Sequence, residues 1–83
     1  MYQVEFSKNA ELFLDKLDTI PRERILHTLD RIKIRPESFV EKLVGEPGYK
    51  LRVGDYRLFL DIDQGKLIIF VIEIKHRKNA YKN

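Results

Sequence analysis

The stretch YKLRVGDYRLF, residues 49–59, decides how this chain folds. Two alternating runs flank Gly54 and Asp55, and a glycine in the first central position suits a two-residue type II′ turn. The stretch therefore reads as a β-hairpin with Val53 paired to Tyr56. That register sets Arg52 directly opposite Arg57. Like charges facing each other across a ladder are destabilising, so the pair marks either a solvated face or a face meant for an anion. Tyr49, Leu51, Val53, Tyr56, Leu58 and Leu60 point one way, toward a core. Lys50, Arg52, Arg57 and Phe59 point the other way.

Working outward, residues 2–6 (YQVEF) alternate and form a short half-buried strand. Ser7 is placed to cap a helix. Ala10, Phe13, Leu14 and Leu17 then recur at helical spacing over residues 8–17. A second helix starts near Pro21, which fits a first turn, and carries the stripe Ile25, Leu26, Leu29 and Ile32. Pro36 ends it at or before Arg35. Residues 36–48 hold two prolines and two glycines and read as a loop. The strands 49–53, 56–62 and about 66–75 follow. The last (LIIFVIEI) is apolar on both faces, and so puts apolar residues on the face bearing the arginines. The turn between the last two strands offers Gly65 for a positive φ. The tail has length for one helical turn at most.

The expected fold is α+β, in the order β-α-α-β-β-β. Two N-terminal helices pack on a twisted, mostly antiparallel four-stranded sheet, with the first strand at an edge. One domain spans residues 1–83.

The chain has no cysteine, which excludes disulfides and cysteine-based metal sites or nucleophiles. The longest apolar run is too short to span a bilayer, and the N-terminus has no signal-like run. A cytoplasmic protein with no membrane partner is expected. Sixteen Lys and Arg stand against thirteen Asp and Glu, a net charge of +3. The distribution says more than the total: KHRKNAYKN, residues 75–83, has four Lys/Arg and no acid. Basic side chains interleaved with aromatics can neutralise phosphates and stack bases. Asp61 and Asp63 read as turn residues and His27 as solvated, so no metal or other cofactor is expected. No phosphate-binding loop, dinucleotide fingerprint or Ser-His-Asp arrangement is visible.

The run GYKLRVGDYRLFLDIDQGKLIIFVIEIKHRKNAY resembles the C-terminal half of the RelE/ParE superfamily of toxins from type II toxin-antitoxin modules. The shared pattern is Y-[KR]-[LI]-R-x-G-[DE]-Y-R, a turn, an apolar strand and a closing H-R-x3-Y. The N-terminal strand and both helices fit as well. In the RelE-like branch the resemblance implies a metal-independent endoribonuclease that cleaves mRNA in the ribosomal A site by 2′-OH attack. It also implies a cognate RelB-like antitoxin, with ribosome and mRNA as further partners. It assigns catalytic roles to Lys50, Arg52, Arg57, Arg77 and Tyr81. It gives phosphate contact to Lys50, Arg52 and Arg57, and the basic and aromatic pattern of the face and tail adds Phe59, Lys78 and Lys82 as phosphate or RNA contacts. Some members carry a further lysine where this chain has Gly48. Glu46 and His76 lie near the matched positions and are left unmatched. The alternatives are a ParE-like gyrase inhibitor without nuclease activity, or a catalytically degenerate RNA-binding module.

Overall fold

The computed structural model describes residues 1–80. Strand β1 (Gln3–Phe6) leads into helix α1 (Lys8–Lys16) and then helix α2 (Thr19–Arg31). Four strands follow, β2 (Glu41–Lys42), β3 (Tyr49–Val53), β4 (Tyr56–Asp63) and β5 (Ile68–His76), and a short helix α3 (Arg77–Ala80) closes the described chain. Ser7 caps α1 as expected, its Oγ accepting from the Ala10 N–H at 3.1 Å. Pro21 lies in the first turn of α2, which begins two residues earlier than the sequence suggested.

The sheet order is β1-β5-β4-β3-β2, with β1 parallel to β5 and the other pairs antiparallel. The α+β class and the edge position of β1 agree with expectation. The strand number is five rather than four. Glu41 and Lys42 lie in the stretch read as a loop, yet they pair with Lys50 and Tyr49. Two residues are too few to show any period, so the sequence carries no signal for them.

Both helices cover one face of the sheet. Ala10 and Leu14 of α1 and Ile25 and Leu29 of α2 meet Leu51, Val53, Leu58, Leu60, Ile69, Val71 and Ile74 from the strands. Tyr2, Val4 and Phe6 pack at the margin of this core. Leu26, placed in the α2 stripe by spacing, is 40% exposed at its edge.

Two turns define the strand ends. Gly54 takes φ +57°, as the hairpin reading required. In the second turn Gly65 does not adopt a positive φ. Leu67 does, at 57°, while the Asp63 carboxylate accepts the Lys66 N–H at 3.0 Å. That bond lets Asp63 build the turn, and the left-handed residue falls two positions later.

The feature that positions the site is a β-bulge in β5. Leu60 pairs with Val71, but Phe59 pairs with Glu73, so Ile72 is the extra residue. An unbulged ladder continuing from Leu60 would set Leu58 opposite Glu73 and Arg57 opposite Ile74. Glu73 would then point into the core and Ile74 out of it. The bulge reverses both, because a one-residue slip flips every later side chain to the other face. Ile74 is 3% exposed, and Lys75 comes to stand opposite Arg57.

Candidate functional site

On the face opposite the helices, three cations stand abreast. Arg52 of β3 pairs with Arg57 of β4, and Arg57 pairs with Lys75 of β5. The Arg52–Arg57 opposition read from the hairpin is thus present. Lys75 was not among the expected site residues, since strict alternation gives Ile74 that place. Its place at the head of the basic tail was the available signal.

The three differ in setting. Arg52 is exposed and has no ion-pair partner among the described residues. Arg57 is 4% exposed, against the expectation that it stands clear of the interior. It occupies the middle of three strands, and its Nη1 donates to the Tyr56 carbonyl at 3.3 Å. No buried side-chain polar atom among the described residues lacks a partner. Lys75 is half-buried; its Nζ lies 5.9 Å from the centre of the Phe59 ring and 3.9 Å from Glu73. A cation over an aromatic face is held there by the ring quadrupole.

Lys50 shares this face beside Phe59, and its ammonium sits 3.6 Å from the Glu41 carboxylate. It is therefore half committed to β2, which the loop reading did not foresee. Arg77 and Lys78 are exposed at the start of α3. The Arg77 N–H donates to the Asp55 carbonyl at 2.5 Å, which ties the tail to the tip of the β3–β4 hairpin. Tyr81 and Lys82 lie outside the described residues.

The apolar floor expected beneath the arginines is elsewhere. Ile68 and Phe70, on the N-terminal side of the bulge, line a cleft with Glu5, Asp61, Asp63 and Lys66. After the bulge β5 contributes Glu73 and Lys75 instead. The face is thus divided, with cations toward the hairpin tip and acids toward the other end. An anion is attracted to the first region and repelled by the second.

Gly48 and His76 depart from simple carry-over. Gly48 has φ +105°, and an added Cβ would stand 3.2 Å from the Leu60 carbonyl oxygen. A side chain at this position would be strained on this backbone. His76 pairs with Tyr56 and shares its helix-side face, so it does not join the cation row. Glu46 is exposed in the loop before β3, and His27 is exposed on α2.

Residues 4–81 match the family model described as the ParE toxin of the type II toxin-antitoxin system, parDE. Among solved structures, the chain is similar to one in the intact E. coli RelBE toxin-antitoxin complex, with 31% identity and a TM-score of 0.77. That match covers 92% of this chain and 96% of the other. The isolated E. coli RelE toxin gives 28% identity, a TM-score of 0.78 and coverage of 92% and 84%. The archaeal RelE-RelB complex from Pyrococcus horikoshii OT3 gives 25% identity, a TM-score of 0.75 and coverage of 92% and 94%. A comparison with curated proteins found no match.

Proposed function

From the premise that this chain belongs to the ParE toxin family of type II toxin-antitoxin systems, within the RelE/ParE superfamily, we propose that it acts as a ribosome-dependent endoribonuclease. The observation that carries this reading is the row Arg52–Arg57–Lys75 across three strands, beside Phe59, on the sheet face opposite α1 and α2.

Cleavage without a metal requires three things of the protein. The 2′-oxygen must lose its proton and attack phosphorus. The negative charge of the five-coordinate phosphorane must be stabilised. The 5′-oxygen must leave, taking up a proton, to give a 2′,3′-cyclic phosphate and a 5′-hydroxyl. Exposed Arg52 offers a planar guanidinium fork to the non-bridging oxygens, and buried Arg57 adds a fixed positive charge beside it. Fixed cations aimed at developing charge are worth far more than the same groups in water. An arginine stays charged and is a poor proton donor. Lys75 is the ammonium of the row and is suited to meet the leaving oxygen. Arg77 adds charge from the tail, and Phe59 offers a ring edge for a base. By the superfamily resemblance, Tyr81 stacks on a base or accepts the 2′-OH proton. So sparse a set depends on a substrate held in line, which can lower a barrier by roughly 7–11 kcal/mol. The ribosome supplies that alignment. The partner that restrains the toxin is an antitoxin chain, as in the solved RelE-RelB and RelBE complexes.

A second reading, gyrase inhibition without nuclease activity, is favoured by one observation: the matching family model is that of ParE. Primer extension on mRNA carried by purified ribosomes separates the two. Discrete cuts within the A-site codon, absent from naked RNA and lost in Arg52→Gln, are expected. Intact mRNA together with trapped gyrase–DNA cleavage complexes would replace the nuclease reading with the second.

A further inference from the structure

We infer that His76 is a positioning residue whose Nδ1 caps the C-terminal segment and so fixes Arg77 relative to the cation row. The inference rests on the nuclease reading above, in which Arg77 contributes to the site. His76 is the last residue of β5 and immediately precedes α3. Its Nδ1 accepts the Lys78 N–H at 3.3 Å. The first N–H groups of any helix lack partners within it, and a side-chain acceptor on the preceding residue satisfies one of them. Asn, Asp or Ser usually does this. Here imidazole does, since its Nδ1 is attached to Cγ just as the Oδ1 of asparagine is. Accepting this bond leaves Nδ1 bare and puts the ring proton on Nε2.

The ring is itself held in place. It stands edge-on to Tyr56 at 5.3 Å and 88°, and Tyr56 stands edge-on to Phe13 of α1 at 6.0 Å and 80°. The orientation of the capping nitrogen is therefore set from the helix-side core. The two leading N–H groups of α3 go to different acceptors. Arg77 donates to the Asp55 carbonyl at the hairpin tip, and Lys78 donates to His76. Together they lash the segment to the hairpin carrying Arg52 and Arg57. An asparagine can supply the cap but not the ring contact, which explains the use of histidine here.

The test compares His76→Asn, which keeps an acceptor at the Nδ1 position, with His76→Gln, which moves it to the Nε2 position, and His76→Leu, which removes it. Hydrogen exchange of the Lys78 amide and single-turnover mRNA cleavage on programmed ribosomes are read for each. His76→Asn should keep Lys78 protection and cleave near the wild-type rate. His76→Gln and His76→Leu should lose protection and cleave about fivefold to tenfold more slowly, with little change in ribosome binding. Wild-type cleavage rates in His76→Gln and His76→Leu, or an Asn variant as slow as the Leu variant, would overturn the inference while leaving the nuclease reading intact. Absence of cleavage by the wild-type protein would overturn the nuclease reading and with it the role in positioning Arg77. Lys78 exchange would still show whether His76 caps the segment.

Discussion

Replacing Arg52 by glutamine should make the protein more stable and less active, and both effects follow from its place opposite Arg57. Glutamine keeps a polar, flexible side chain on an exposed strand position and removes only the charge. Opposed like charges on a sheet cost roughly 0.2–1 kcal/mol. Relief of the repulsion should therefore add about half a kcal/mol. With a urea slope of about 1 kcal/mol/M for a domain of this size, the midpoint rises by roughly 0.5 M. The gain should fade in 1 M salt, where the screening length is about 3 Å. Loss of one phosphate-directed cation should cut ribosome-dependent cleavage by roughly a hundredfold or more. Urea unfolding at low and high salt, run beside the primer-extension assay, gives all three numbers. A variant less stable than wild type at low salt, or a gain indifferent to salt, would refute the claim that the row stores repulsion. It would also weaken the reading of the row as an anion-binding site.

Lys75→Met should slow cleavage by about tenfold or more while the half-saturating ribosome concentration moves little, because Lys75 is assigned to the leaving oxygen rather than to binding. Gly54→Ala should destabilise by at least about 1–2 kcal/mol in chemical denaturation, through the left-handed φ. The new Cβ would also meet Arg24 Nη1 at 2.8 Å, but that exposed side-chain end can swing away. The Glu37 carboxyl is held below its ordinary value, first by its own backbone N–H and then by the Gln64 amide at 2.9 Å, with Tyr2 adding a third bond. A lowered carboxyl contributes stability that is complete above the unfolded value and lost as pH falls through the folded one. Glu37→Gln should therefore lose less stability than wild type on acidification through that window, read as the change in urea midpoint.

Much of the site's geometry was legible because it is local. A two-residue turn fixes a hairpin's register, so Arg52 against Arg57, Lys50 against Phe59 and the core-facing set from Tyr49 to Leu60 follow from residues 49–60 alone. Ser7 and the helical stripes are legible for the same reason: capping and periodicity act over a few residues. What the sequence could not show depends on distant partners. The bulge at Ile72 exists because the core accepts Ile74 and rejects Glu73, a choice settled by packing against the helices rather than by β5 itself. From it follow Lys75 in the cation row, the displacement of the apolar floor toward Asp61 and Asp63, and His76 on the helix side. The burial of Arg57 and the short strand Glu41–Lys42 are likewise products of strand neighbours remote in sequence. Alternation names two faces, but only the assembled core decides, beyond a bulge, which residue belongs to which.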